Sequence, residues 1–380
     1  MSSRSSTLAE GTPLAAVTLT PHPEKEHLVV CRIRAPEGCV GRGAKLVLER
    51  VVRVKDSRPV HERIKLWETE LRIESTDQEL AVPRPALGRG YDYDGHEIDI
   101  RVESRLTIDD GIFFDTELEG VHRLDVLDRP SVDGCAKELS EPEDAFDFFS
   151  NLAAIPARNR LVTIALAAVG GVLIAVNALV GLHDQLAPEA QIWLYSHVDS
   201  DGDSQSPLVG ALMGCGALGA AVWFAMRRQL RKYMTFALAR DLRVPGRDTV
   251  VPAGRLVSGK ARVPIDRATF RVVAYNRELG QYRRGSGTDE RTVSFQTPVR
   301  AVKLFEQVLQ DVPAGAPIER YLEGDVPFLP MFAALYPPLR VSPSHGIDVK
   351  WEVQLLHPLF VDQEIVSDGD PFPYEAFLDG

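Results

Sequence analysis

Two uncharged apolar runs constrain this chain more than any other feature. "LVTIALAAVGGVLIAVNALVGL" covers Leu161 to Leu182, and "LVGALMGCGALGAAVWFAM" covers Leu208 to Met226. Thr163 and Asn177 are the strongly polar side chains of the first run. Each run approaches the ~20 residues a helix needs to cross a ~30 Å hydrocarbon core. One such run would also fit a buried helix in a soluble domain. Two of them, each bounded by charge, predict a transmembrane hairpin.

The flanks give its orientation. Arg158 and Arg160 precede the first run, and Arg227, Arg228, Arg231 and Lys232 follow the second. The connection from His183 to Ser206 contains Asp184, Glu189, Asp199, Asp201 and Asp203 but no Lys or Arg. The positive-inside rule then puts both termini in the cytoplasm and the short loop outside, with the chain a multi-pass protein of a bacterial-type inner (cytoplasmic) membrane. Ala167 with Gly171, and Gly210 with Gly214, are small-xxx-small steps that let two helices approach. They favour packing within the hairpin, and self-association into a homo-oligomer is the other arrangement they allow. Asn177 is expected to bond across the helix pair. With no charge inside either run, the hairpin reads as an anchor and not a transporter.

On either side of the hairpin the chain repeats itself. "HEIDIRVESRL" starts at His96 and "HGIDVKWEVQL" at His345. Ile98, Ile100 and Val102 alternate with Asp99, Arg101 and Glu103. Ile347, Val349, Trp351 and Val353 alternate with Asp348, Lys350 and Glu352. Period-two alternation predicts strands with one face in a core. "GAKLVLERVVRVKD" and "ATFRVVAYNREL" correspond, as do "IKLWETELRI" and "RTVSFQTPVRAV". Many short strands with turn signals predict antiparallel sandwiches. Each flank, roughly 120 residues, is long enough to hold one.

A Pro-Pro segment followed by Ser and then His-x-Ile-x-x-x-Trp-x-Val resembles the arrestin-like superfamily. The residues are Pro337, Pro338, Ser344, His345, Ile347, Trp351 and Val353. "VPAGRLVSGKARVPI" is similar to the strand pair that opens an arrestin domain. The resemblance covers Val250 to Val366 well and Ala15 to Glu119 more weakly. It implies two tandem β-sandwiches acting as a non-catalytic adaptor, here with a membrane hairpin between them, and it carries over no functional residue.

The expected fold is therefore mainly β: two immunoglobulin-like or arrestin-like β-sandwiches flanking a two-helix transmembrane hairpin. The divisions are 1–14 (disordered), 15–130 (first sandwich), 131–160 (linker with a juxtamembrane helix), 161–182, 183–207 and 208–226 (hairpin), 227–246 (basic helical extension), 247–368 (second sandwich) and 369–380 (acidic tail). In the linker, Ser140 and Glu143 resemble a capping box, with Phe146, Phe149 and Leu152 near one helical face. The tail, with Phe372, Tyr374 and Phe377, reads as a frayed terminus.

Chemistry-bearing motifs are sparse. Asp199, Asp201 and Asp203 match the first positions of a calcium loop, but Ser204 stands where Gly is needed and Gly210 where Glu is needed. They remain weak candidates for an outer cation site, and no metal is expected. His96 and His345 are expected to hold turns. Cys31, Cys39, Cys135 and Cys215 show neither disulfide nor zinc spacing. "GCVGRGAK" lacks the P-loop spacing, and no GxSxG, HExxH or dinucleotide fingerprint occurs. The net charge of −11 argues against nucleic acid as a partner. The N-terminal stretch has no apolar run of signal-peptide length.

The expectation is a membrane-anchored scaffold or adaptor, not an enzyme and with no cofactor, whose partners are the lipid bilayer and an unknown protein. An edge strand near Trp67, or the 283–290 loop, is the first place to look for that protein. An envelope sensor with a cation-responsive outer loop and an accessory subunit of a transport complex are the alternatives.

Overall fold

The computed structural model describes residues 16–55, 61–109, 115–132, 135–142, 152–153, 155, 157–190, 197–198, 204–205, 207–230, 245–285, 289–358, 361–365 and 372–378. The protein is mainly β, with antiparallel sheets in two regions on either side of two long apolar helices.

In the first region, β1 (Ala16–Pro21), β2 (Leu28–Arg34) and β5 (Asp77–Pro83) form a three-stranded sheet. A five-stranded sheet has the order β4 (His61–Arg72), β3 (Gly43–Val54), β7 (Ile98–Ile108), β6 (Tyr93–Asp94), with β8 (Thr116–His122) also on β7. The alternating apolar residues of the two sheets meet in one core. Val17, Val29, Cys31 and Ile33 come from one side, and Leu46, Leu48, Val102 and Leu106 from the other.

A short helix, α1 (Ala136–Ser140), follows, and then come the long helices α2 (Ala157–Leu186) and α3 (Pro207–Leu230). Between them lie the two-residue strands β9 (His197–Val198) and β10 (Ser204–Gln205). Arg160–Leu186 and Leu208–Met226 are long and apolar enough to cross a membrane. Both helices extend several residues beyond the uncharged runs at each end, apart from α3's start at Pro207. Their apolar side chains point outward: Leu161 is 68% exposed, Leu179 67% and Leu212 76%.

The second region contains β11 (Val250–Pro252), α4 (Ala253–Leu256), β12 (Ile265–Arg284), β13 (Arg291–Val312), β14 (Asp325–Pro327), α5 (Leu329–Ala334), β15 (Leu339–Ser342), β16 (His345–Leu356) and β17 (Val361–Ile365). Its larger sheet runs β13-β12-β16-β15, with β17 on β16. This is the strand order of the first region's larger sheet, so the repeated sequence corresponds to a repeated topology. β7 and β16 are the matching central strands.

Four features depart from the sequence pattern. "VPAGRLVSGKARVPI" forms the three-residue β11 and a single helical turn, α4, in place of a strand pair. Val251, Ala253, Leu256, Val257, Ala261 and Val263 all face the core, which is not a period-two pattern. Ser140 ends α1 instead of capping a helix after it, and its hydroxyl donates to Ala136 O at 2.8 Å. Phe146 and Phe149 lie outside the described residues, while Leu152 packs on the second core. The tail is docked, with Phe372 and Phe377 buried against Phe332. Finally, β16 has no open face: His345 to Leu355 are all buried.

The two β regions share a seam. β12 and β13 outrun β16, which pairs with β12 only as far as Leu279. Their free ends reach the first region, where Tyr282 and Phe295 join a cluster with Val52, Val54, Tyr93 and Ile98 of that region and Ile347 of β16. Gly280 is required there, since a Cβ would come within 2.4 Å of Phe295 and 3.2 Å of Val54.

Candidate functional site

The outer face of the first region's larger sheet is strongly polar. Odd-numbered side chains of β7 point there, and they form a ladder of ion pairs. Arg101 binds Asp99 and Glu103, both at 2.9 Å. Arg63 reaches Glu49 at 3.1 Å and Glu103 at 3.3 Å, and Arg105 reaches Glu49 at 3.4 Å. A groove of about 210 Å³ opens among Arg53, Arg63, Arg105, Glu119 and Gly120.

Ser104 lines this groove with His122 beside it, Oγ to Nε2 at 2.7 Å. That distance invites comparison with a nucleophile and its base. The proton sits the wrong way for it. The Leu19 amide donates to Nδ1 at 3.3 Å, so the ring proton is on Nε2 and is donated to the serine oxygen. Burial pushes the His122 pKa down to about 4. A Cβ at Gly120 would meet Val17 O at 2.3 Å and Ser104 Oγ at 2.6 Å, so the backbone of β8 lies directly against the pair. The pair is a structural clamp joining β1 to β8. The partners of His122 are a backbone amide and a serine, both on other strands.

The seam is the second polar cluster. Glu278, fully buried on β12, projects into the turn between β6 and β7. It accepts hydrogen bonds from Tyr93 OH (2.7 Å), the His96 amide (2.8 Å) and the Glu97 amide (2.6 Å). Tyr91 stacks on Tyr336 and on Tyr374 of the tail, with Tyr93 edge-on to Tyr336. Tyr91 OH donates to Pro337 O at 2.7 Å. Asn276 holds the approach to the proline pair through reciprocal 2.9 Å bonds with Tyr336. Arg129 ties the tail down by donating to Phe377 O at 2.7 Å and Phe332 O at 3.3 Å.

Of the paired histidines, His345 holds a turn: Ser342 Oγ lies 3.1 Å from its Nδ1. Burial lowers its pKa, with Glu62 of the first region opposing at 3.8 Å. His96 is exposed beside Glu97, and its backbone amide, not its ring, makes the turn contact. Gly346 occupies the place of Glu97 in the other copy. Its φ of 143° and the approach of Leu339 O, 2.2 Å from a built Cβ, admit only glycine. Trp351 and Val353 are core, Trp351 edge-on to Phe328 with ring centroids 5.1 Å apart.

A third cluster lies on the polar face of β16. Glu352 is fully buried, with Tyr275 OH at 3.3 Å and the Gln354 amide donating to its other oxygen. Burial pushes the Glu352 pKa up to about 7. Nothing in the alternating sequence distinguishes this carboxylate from Glu103, the opposing ladder member in the first copy.

The helix pair uses only some of the small residues expected to pack. Gly214 faces Ile174, with 3.3 Å available to a Cβ, and Ala167 packs on the second core. Gly171 and Gly210 meet nothing within 4 Å, whereas Gly170 lies under Leu218, 2.4 Å from a built Cβ. Asn177 turns back onto its own helix, donating to Leu173 O at 2.8 Å, instead of bonding across the pair. An apolar groove between the helices is lined by Ala167, Gly171, Ile174, Cys215, Leu218 and Gly219. Arg160 caps backbone carbonyls of Ala153 and Ile155, and Arg228 is exposed. Arg158 and Arg227 lie on the helices with side chains outside the described set. Arg231, Lys232, Asp199, Asp201 and Asp203 lie outside the described residues.

No cluster of three metal-ligating side chains occurs among the described residues. The four cysteines are free, and burial pushes the Cys31 thiol up to about 12. Trp67 is half-buried on β4 against the first core. In the 283–290 loop, residues 286–288 lie outside the described set.

The class this architecture defines is a mainly β protein of two antiparallel regions with a helix pair inserted between them. No protein-family model matches the chain, and no curated protein matches it. Among solved structures, a mutant of Salmonella alpha-2-macroglobulin is similar at 8% identity and a TM-score of 0.20. That alignment takes in 97% of this chain and spans 17% of the length of that one. A TM-score so low carries neither fold nor function across.

Proposed function

We propose that this chain is a membrane-anchored, non-enzymatic adaptor. In this reading α2 and α3 span a bacterial-type inner membrane, and two arrestin-like β-sandwiches present a binding surface to a protein partner on the cytoplasmic side. The observation that carries the reading is the attachment of the helices. Their middle portions expose apolar side chains on nearly every side, while Ile155, Val222 and Met226 at their base are buried in the core of the second β region. Exposed apolar helices of this length have a large hydrophobic penalty in water and none in lipid. A base fused to a folded core holds the β body at a fixed height above the bilayer.

The partner surface we assign is the edge strand β4. Among the described residues it pairs only with β3, over His61–Arg72. Its bulge opposite Leu48/Glu49 and its charges Lys65, Glu68, Glu70 and Arg72 discourage indiscriminate pairing. A partner strand carrying the complementary charge order would add to this edge. The test is a photo-crosslinking residue at Ile64, 41% exposed on β4, compared with one at Val126, 71% exposed elsewhere on the first region. A single adduct of defined mass from Ile64 and none from Val126, in native membranes, is expected. Absence of any Ile64 adduct from correctly folded, membrane-embedded chain would contradict the assignment.

A further inference from the structure

α1 lies across β12 and β13 and reaches the polar face of β16 at Gln354, where a short relay of side chains holds it. Arg271 on β12 donates through Nε to Gln354 Oε1 at 2.7 Å, and its outer nitrogen reaches Glu138 O and Leu139 O at 3.4 and 3.3 Å. Gln354 Nε2 donates both to Leu139 O at 2.6 Å and to the Glu352 carboxyl. Ala136 and Leu139 pack on Val273, Tyr275 and Ala301. The amide that grips the C-terminal carbonyl of α1 is thus the same amide that contacts the buried carboxyl.

We propose that α1 is a proton-operated latch, docked most firmly on the second β region when Glu352 is protonated and loosened as Glu352 ionises.

The chemistry follows from the surroundings. A neutral Glu352 can turn its hydroxyl toward the Tyr275 oxygen, which then accepts, while its other oxygen keeps the Gln354 amide. An ionised Glu352 is a buried charge. Facing it are Tyr275 and Arg271 from β12, Gln354 and, further along the same face of β16, Lys350, which lies 3.5 Å from Asp348. Arg271 hydrogen-bonds Gln354 and not the carboxyl; its charge attracts Glu352 as it does Glu306 of β13, but burial outweighs that attraction. From α1 the nearest charge is Glu141, which repels the ionised form. Lifting α1 admits water to the carboxylate, so opening is the way this charge is relieved. A five-residue helix held by one amide, one guanidinium and two apolar side chains is the kind of element that opens locally.

The pH window is set by the docked value near 7 against an ordinary value of 4.5. The docked carboxyl binds its proton more tightly than the open one. Docking is therefore firmest at low pH and weakens as pH rises through 7. With those two values the opening equilibrium rises up to about tenfold from pH 6 to pH 8.

The experiment is amide hydrogen exchange of the full chain in detergent micelles at pH 6, 7 and 8, read at residues 136–140 and corrected for intrinsic rates. The expected result is a loss of protection approaching tenfold across that range in the wild type, and no change with pH in Glu352→Gln. Tyr275→Phe, which removes a donor to the ionised carboxylate, is expected to move the midpoint upward. A wild-type change below twofold, or a pH dependence that persists in Glu352→Gln, would overturn the proposal. Should Glu352→Gln fail to fold, the wild type and Tyr275→Phe decide alone: an unshifted midpoint in Tyr275→Phe assigns the transition to another group.

Discussion

β7 and β16 carry nearly the same sequence and occupy the same position in the same strand order, yet they live in different environments. On β7 the residues Asp99, Arg101, Glu103 and Arg105 form an ion-pair ladder on the rim of an open groove. On β16 the corresponding Asp348, Lys350, Glu352 and Gln354 are all buried. The alternation therefore encodes a strand and its register but not what covers the polar face. That cover comes from elsewhere in the chain: α1 for Glu352 and Gln354, and Arg277 and Arg340 for Asp348. Burial on one side alone leaves charges cheap to keep; burial on both sides turns each into an interaction that has to be matched.

Core positions should separate β7 from β16 most severely. Trp351 corresponds to Val102, and both are buried. Trp351→Ala should destabilise the chain by about 3–5 kcal/mol, because its cavity lies between two covered layers. Val102→Ala should cost about 1–2 kcal/mol. Denaturant unfolding of the full chain in detergent checks both, and equal losses would break the asymmetry.

The second comparison is in pH. His122 in the first region titrates near 4 instead of 6.5, so its contribution is present above 6.5 and is lost as pH falls through 4. Glu352 in the second region titrates near 7 instead of 4.5, so its contribution is complete below 4.5 and is lost as pH rises through 7. Acid should therefore loosen the first region, by about 3 kcal/mol, and mild alkali the second. Region-resolved hydrogen exchange at pH 4 and pH 8 distinguishes them. His122→Asn should remove most of the acid effect.

The seam gives an intermediate effect. Glu278→Gln replaces an acceptor of three hydrogen bonds with a group that brings its own donors, at a cost of about 2 kcal/mol. The turn at residues 94–97 should become protease-sensitive, with the cores of both regions intact. The smallest effect belongs to the ladder on β7, where each carboxylate keeps a second cation. Arg101→Ala should cost about 1 kcal/mol or less and weaken with salt, since its partners keep other cations nearby.

Much of this architecture was legible in the residues. The two uncharged runs marked α2 and α3, and the repeat marked β7 and β16 with their neighbours β3, β4, β12 and β13. Periodicity is a local property, and these elements declare themselves locally. The clusters at Glu278 and Glu352 were not legible, because each joins residues far apart in sequence: Glu278 to Tyr93, and Gln354 to Leu139. The docking of Phe372 and Phe377 was hidden for the same reason. An acidic, proline-containing tail reads as solvated until Phe332 and Arg129 supply somewhere to bury it. Asn177 misled differently, since the sequence offers it two acceptors, the neighbouring helix and the carbonyl four residues back, and the nearer one was taken.

The proposed function requires that two copies of one β unit form a single body on one side of a membrane, with α2 and α3 inserted between them. The direct measurement is sided thiol labelling. Cys135 and Cys215 are the exposed native thiols, so both are first replaced by Ser. Single-cysteine substitutions His96→Cys in the first region, Arg267→Cys in the second and Glu189→Cys between the helices are then reconstituted into sealed phospholipid vesicles. A membrane-impermeant maleimide should label residues 96 and 267 from the same side and residue 189 only from the opposite side. Labelling of residues 96 and 267 from opposite sides, or of all three from one, would contradict the account.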